Sequence, residues 1–324
     1  MLNNQASQIF LLWSTTMKAI TYATYGGPDV LQYGDVPEPK LGADAVLVKV
    51  KAASVNPVDW KIQAGYLDSV MDAVFPVIPG WDVAGVVEQV GVGVSEFAPG
   101  DEVIGYVRED MVGRGTFAEY VAAPVRTLAR KPRNLSFEQA AGLPLAGLTA
   151  YQALTGALAV KPGETVLVHA AAGGVGSLAV QIASALGARV IGTAGQHNHD
   201  YLRGLGAEPV SYGEGLADRV RALAPQGVDA VLDLVGGDAL QISPALLGPA
   251  GRLASIADGA VLALGGRYVF VRPDASDLAA LTELAEGGRL QVEVAATFPL
   301  HRAADAQRLN AEGHTRGKIV VTVA

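Results

Sequence analysis

Apolar residues recur at every second position in the first third of the chain. Val46, Val48 and Val50 alternate with Leu47, Lys49 and Lys51, the period of a half-buried β-strand. Met17–Tyr22, Ala84–Val90 and Glu102–Val107 read as further strands, and Pro99-Gly-Asp101 as a turn between the last two. Many short strands separated by Gly/Pro turns, from Met17 to about Pro132, predict a small β-barrel. At Ser136 the period changes. Ser136-Phe-Glu-Gln139 is a capping-box pattern that opens an Ala/Leu-rich helical stretch, broken by Pro144 and ending near Leu158. Strand and helix signals then alternate. The strands are Thr165–His169, Arg189–Thr193, Pro209–Tyr212, Ala230–Val235, Arg252–Ile256 and Tyr268–Val271. Helix-period segments such as Leu216–Leu223 and Ala239–Leu247 lie between most of them, which predicts an α/β, doubly wound parallel sheet. Asp277–Ala285 reads as a further helix, and Leu290–Val294 and Lys318–Val323 as strands that return to the first domain. The expected division is 17–140 with 274–324 for the barrel domain and 141–273 for the doubly wound domain. Residues 1–16 form an extension of different character, and Met17 reads as the functional start.

One turn carries the chemistry. Thr165-Val-Leu-Val-His169 runs into Ala170-Ala-Ala-Gly-Gly-Val-Gly176, and Ser177–Leu186 continues as a helix. A strand, a glycine-rich turn and a helix start form the arrangement in which a Rossmann fold holds a dinucleotide pyrophosphate. Ala172, Gly173, Gly174, Val175 and Gly176 are the expected phosphate-loop residues. Ala171 stands at the first fingerprint glycine, which is acceptable only if that position needs no positive φ. The second strand ends Ala194-Gly-Gln-His-Asn198, with no acid at its tip to accept from a ribose 2′-hydroxyl. Gly195 leaves room there, and Gln196 and His197 offer donors to a 2′-phosphate, so the expected cofactor is NADP(H). Tyr212 and Val235, at the ends of the third and fourth strands, are expected to line the same ligand.

Composition narrows the function. Half of the 324 residues are apolar and 17% are charged, with a formal net charge of −8. Nucleic acid and anionic membrane surfaces are therefore poor partners. The apolar run Ile9–Trp13 is too short to span a bilayer. The absence of cysteine excludes disulfides, a thiolate nucleophile and any zinc site with a cysteine ligand, and it suits a cytoplasmic location.

Five segments carry a family resemblance: Ala52–Asp59, Ile78–Val87, Leu143–Gln152, the glycine-rich loop and Arg316–Val320. From Met17 to Ala324 the chain resembles the medium-chain dehydrogenases/reductases, in the zinc-independent quinone oxidoreductase group that includes zeta-crystallin. The resemblance implies a GroES-like β-barrel catalytic domain beside the Rossmann domain, with the active site between them. Zinc-dependent members carry a cysteine where this chain has Asn56 or its neighbours, and Gly-His-Glu where it has Gly80-Trp81-Asp82. No metal site is expected. The resemblance implies that Asn56 reaches the nicotinamide ribose or the substrate carbonyl, that Thr149 contacts the nicotinamide, and that Lys318 lies near the cofactor phosphates. It places the Phe270-Val271 backbone near the carboxamide and Tyr66 in the substrate pocket. Plainer roles stand beside these. Asn56 suits a turn before Pro57, Asp82 suits a cap for backbone N–H groups, and Lys318 suits a solvated strand end. Tyr66 suits a half-buried surface aromatic, and His169 a structural core histidine.

The implied function is hydride transfer from NADPH to a small-molecule quinone or α,β-unsaturated carbonyl, with Asn56 or Tyr66 stabilising the oxyanion. Three alternatives remain at this level: an enoyl-thioester reductase, a zinc-free alcohol dehydrogenase, and a protein that holds NADPH without turnover. The resemblance also implies a homodimer joined at the Rossmann sheet edge, with Tyr268–Val271 as the expected contact.

Overall fold

The structure, a computed structural model, describes residues 15–324. The expected extension 1–16 lies almost entirely outside the described residues. The first half is built on the strand Ala45–Val55, whose alternating face buries Val46, Val48 and Val50. It centres a seven-stranded sheet in the order 294–299, 318–322, 45–55, 82–90, 102–106 and 128–130, with 120–124 also pairing to 45–55. The pairs are antiparallel except Val294–Pro299 with Lys318–Thr322. The last two strands of the chain thus complete the sheet begun by the first.

The second half is a six-stranded parallel sheet in the order 207–210, 189–193, 165–168, 228–233, 247–255, 267–268. This is the 3-2-1-4-5-6 order of a dinucleotide-binding sheet. The strand order reverses beside Thr165–Val168, so the crevice beyond its C-terminal end is where such sheets bind ligands. The helical stretch between the halves follows its pattern. Gln139 N donates to Ser136 Oγ and Ser136 N to Gln139 Oε1, closing the capping box. Pro144 then begins a new helix, Pro144–Gln152, at a position where its missing N–H costs nothing.

Several edges differ from expectation, each for a local reason. The third parallel strand ends at Val210 and the fourth at Asp233. The Asp233 carboxylate accepts from Val235 N and Gly236 N and bends the chain there. The helix expected to run to Leu247 stops at Ile242 ahead of Pro244 and continues as a 3₁₀ turn. The sixth strand is only Arg267–Tyr268. Beyond it, Gln152 binds the backbone of Arg272 through both amide groups and draws the chain off the sheet. The strand expected at Leu290–Val294 begins only at Val294. Leu290 and Val292 are buried alternately, but the backbone of Gln291 pairs with the side chain of Gln181 rather than with a strand. The helices Pro57–Gln63 and Ala303–Glu312 were not legible, because each buries too few apolar side chains to set a period.

Candidate active site

The glycine-rich turn follows Thr165–Val168 at the crevice. Ala170 takes a left-handed φ of 49° and donates its N–H to Thr193 Oγ1 at 3.0 Å. Ala171 avoids positive φ and is fully buried, so the alanine at the first fingerprint position is accommodated by moving the strained conformation back one residue. Gly173 is the N-cap of the helix Gly174–Ala185, and no side chain caps it. The N–H groups of Gly174, Val175 and Gly176 have no backbone acceptor, whereas Ser177 N already donates to Gly173 O. Uncapped donors at the positive end of a twelve-residue helix form an anion cradle. A Cβ at Gly176 would stand 2.2 Å from Ala170 O, so this glycine lets the helix pack onto the turn. The residues present therefore fit a dinucleotide pyrophosphate.

The barrel half meets this turn through its C-terminal strand. Gly317 N donates to Ala172 O at 3.2 Å, and Gly317 bridges to Gly173. A Cβ at Gly174 would lie 2.9 Å from Lys318 Cδ, so the Lys318 stem passes directly over the helix start. Its ammonium is not a solvated strand end. Lys318 is buried, and Nζ donates to Asn56 Oδ1 at 2.5 Å, with Asp82 Oδ2 at 4.0 Å.

Asn56 begins the helix Pro57–Gln63 but does not cap it with its side chain. Asp59 supplies the reciprocal bond, accepting from Asn56 N at 2.7 Å. The Asn56 amide is turned instead toward Lys318 and Asp82, with Nδ2 donating to Asp82 Oδ2 at 2.8 Å. Only this orientation satisfies both neighbours, since the flipped amide would set NH₂ against the ammonium and oxygen against the carboxylate. Asp82 is fully buried and accepts from Ser54 Oγ, Asn56 Nδ2 and, at 2.7 Å, Leu145 N. The last bond caps the first turn of Pro144–Gln152, as one reading of Asp82 anticipated, while its other oxygen holds Asn56. Burial pushes the Asp82 carboxyl up, opposed by the Lys318 charge and these donors, and pushes the Lys318 ammonium down, opposed by Asp82 and Asp59. Burial pushes Asp59 up to about 7.

The remaining expected residues divide into three groups. Thr149 is buried on the helix anchored by Asp82, with Oγ1 donating to Leu145 O at 2.6 Å, so its free valence is as an acceptor. Val271 is buried beside Phe270, while Phe270, Tyr212 and Val235 are exposed apolar groups. Gly195 precedes the turn Gln196–Asn198, in which Gln196 and His197 are exposed. Arg203 is engaged by Asp200, so it offers no free charge at that tip. Tyr66 is 70% exposed, with its ring edge-on to Trp60. The second N–H of Asn56 makes only a long contact to Ser54 O at 3.5 Å, so its unused valences are that weakly held N–H and the second lone pair of Oδ1. His169 is a buried core histidine bonded to Ser243 Oγ at 3.1 Å, and burial pulls its pKa down.

Sequence reasoning missed Asp59 and Ser54 as partners of Asn56. The Asn-Pro-x-Asp spacing carries the capping-box signal for Asp59. It also missed Arg316, whose guanidinium lies 5.0 Å from the Tyr201 ring centroid and pairs with Glu293. Among the described residues no group of three or more His, Cys, Asp or Glu side chains is placed to hold a metal ion. No helix among them is long and apolar enough to cross a membrane.

Comparisons with known proteins agree with this fold. Residues 42–133 match the alcohol dehydrogenase GroES-like domain, and residues 205–321 match a zinc-binding dehydrogenase domain. The chain is 33% identical to a chloroplast envelope quinone oxidoreductase homolog of Arabidopsis thaliana, over 94% of this chain and 98% of that one. It is 37% identical to an NADPH-dependent alkenal/one oxidoreductase of the same plant, over 94% of this chain and 79% of that one. Among solved structures it resembles a quinone oxidoreductase from Coxiella burnetii, with a TM-score of 0.85 and 37% identity over 96% of this chain and 100% of that one.

Proposed function

Because the chain belongs to the quinone oxidoreductase group of the medium-chain dehydrogenases/reductases, we propose that it reduces a small quinone or α,β-unsaturated carbonyl with NADPH. The observation that carries this reading is the uncapped Gly173–Gly176 turn with the buried Lys318–Asn56–Asp82 cluster laid directly against it. When bound, the nicotinamide supplies a hydride; everything else is positioning and charge. Gly174, Val175 and Gly176 hold the pyrophosphate through backbone N–H groups. Asn56 Oδ1, aimed by Lys318 and Asp82, accepts from a nicotinamide ribose hydroxyl. Thr149 Oγ1 and the Phe270-Val271 backbone hold the carboxamide end, and Tyr212 and Val235 flank the ribose and adenine side. The buried Lys318 ammonium, partly balanced by Asp82, would hold Asn56 in place and keep a positive charge beside the bound cofactor. In an enone, the β-carbon would gain the hydride, the alkene pair would become the bond between the α-carbon and the carbonyl carbon, the carbonyl π pair would move to oxygen, and the enolate would take a proton from water at the α-carbon.

Gln196 and His197, with no acid beside them, favour the 2′-phosphate of NADPH over the free hydroxyl of NADH. Tyr66, Val70, Phe75 and Met111 are exposed apolar side chains in the segments that follow the Asn56 helix, and we read them as favouring a compact apolar acceptor over a long phosphorylated thioester. The two-residue edge strand Arg267–Tyr268 is the sheet border through which we propose a homodimer, and a cytoplasmic location belongs to the same reading. Fluorescence titration tests the cofactor assignment: NADPH binds at least tenfold tighter than NADH, and equal constants refute it. Asn56→Ala tests the site: turnover falls at least tenfold while NADPH affinity changes by less than fivefold. Unchanged turnover removes Asn56 from the site.

A further inference from the structure

One cation between the two halves has no hydrogen-bond or ion-pair partner among the described residues. Arg108 leaves the sheet just after the strand Glu102–Tyr106, where Tyr106 pairs in register with Asp82 and Val107 N donates to Trp81 O at 2.8 Å. It therefore emerges beside Trp81, the residue next to the Asp82 cluster. Its guanidinium carbon lies 5.2 Å from the ring centroid of Phe270, so the side chain reaches across the cleft to the other half of the molecule. Arg108 Nε is buried and has no hydrogen-bond partner. No carboxylate among the described residues pairs with Arg108, although Glu109 and Asp110 follow it directly and are exposed.

The other arginines without a hydrogen-bond or ion-pair partner among the described residues, Arg114, Arg126, Arg267 and Arg289, are all exposed, and those held in the fold are bonded. Arg219 donates to the carbonyls of Ser211, Tyr212, Gly213 and Glu214, and Arg133 makes a two-pronged bond to Glu286. A guanidinium stays charged at every physiological pH, and the terminal nitrogens of Arg108, which is only partly buried, make no hydrogen bond or ion pair among the described residues, so they are open to an acceptor from a ligand. Its planar fork matches a carboxylate, and stacking on an aromatic face fixes the plane in advance.

We propose that Arg108 is a specificity-determining residue that binds a carboxylate on the acceptor, so that the preferred substrates are enones or quinones carrying a carboxylate near the reducible bond. This rests on the reductase reading above and deepens it. The Phe270 segment is the proposed carboxamide site, so a carboxylate on Arg108 sits at the nicotinamide end of the cleft. The hydride acceptor is then held by one charged contact on the barrel side.

The test compares 4-oxopent-2-enoate with its methyl ester, which keeps the electrophile and removes the charge. The wild-type protein is expected to show a KM at least tenfold lower for the acid. Arg108→Met abolishes that preference, lowering kcat/KM for the acid at least twentyfold and for the ester less than threefold. Arg108→Lys restores part of it, since the charge returns without the planar fork. Retained turnover of the ester shows that the variants are folded. An equal loss on both compounds, no loss on either, or no wild-type preference for the acid overturns the proposal. Calorimetric titration of the acid into the protein with NADP⁺ separates the two readings. Arg108-dependent binding without NADPH oxidation upholds the carboxylate site and refutes the reductase; no binding by the wild type overturns the site.

Discussion

Asn56 shows what a single amide does when its neighbours fix its orientation. Lys318 and Asp82 each take one end of it, and the contact to Lys318 joins residues 262 positions apart. Lys318→Met leaves a fully buried carboxylate without its counter-charge, which costs about 3–5 kcal/mol. Urea denaturation of that variant, with Asp82→Asn added to it, tests the coupling: the second substitution should recover at least half of the loss, and additive losses would refute it. Asp59 offers a pH test. Its folded pKa is raised to about 7 from an ordinary value of 3.8. The folded protein therefore holds a proton that the unfolded chain releases. That stabilisation is full below the unfolded pKa and is lost as pH rises through about 7, with a slope of at most ~1.4 kcal/mol per pH unit. Asp59→Asn should remove this slope between about pH 4 and 7, measured as the difference in unfolding free energy between the two proteins. The sequence named Asn56, Lys318 and Asp82, but not their contact, because no local pattern encodes proximity between the start and the end of a chain.

At the scale of elements, two glycines of the loop serve different purposes. Gly176 is a packing glycine, since its Cβ would strike Ala170 O, whereas a Cβ on Gly173 would come no closer than 3.4 Å to that oxygen. Gly176→Ala should cost about 1–3 kcal/mol through overpacking and lower Tm. Gly173→Ala should leave Tm unchanged yet weaken NADPH binding, because its Cβ meets only Ala170 O, at ordinary contact distance, and otherwise enters open space at the turn proposed to hold the phosphates. Thermal melts with and without NADPH separate the two, and identical behaviour would contradict the assignment. The strand–turn–helix unit and all six parallel strands were legible, since a run of β-branched residues ending in glycines has few other solutions. The edges were not. Gln152 and Gln181 each bind backbone with a side-chain amide, so the period at Val269–Val271 and Leu290–Val292 continues where the sheet does not.

Across the whole molecule, the last strand couples the halves. Gly317 touches the phosphate turn while Lys318 runs over the helix start to reach Asn56, so one short segment sets the cleft against both domains. Short strands between Gly/Pro turns made the barrel legible and alternating strands and helices the doubly wound sheet, while the cleft itself follows from three-dimensional closure. Light scattering at micromolar concentration should give about twice the 33.4 kDa chain mass, and a monomer would contradict a dimer joined at the Arg267–Tyr268 edge. The most direct test of the account is NADPH oxidation in chelator-treated buffer, followed by absorbance with one quinone and one enone as acceptors. The account predicts steady consumption with an acceptor present and none without it, unaffected by removal of metal. NADPH that is bound but never consumed, or turnover that returns only when zinc is added, would contradict it.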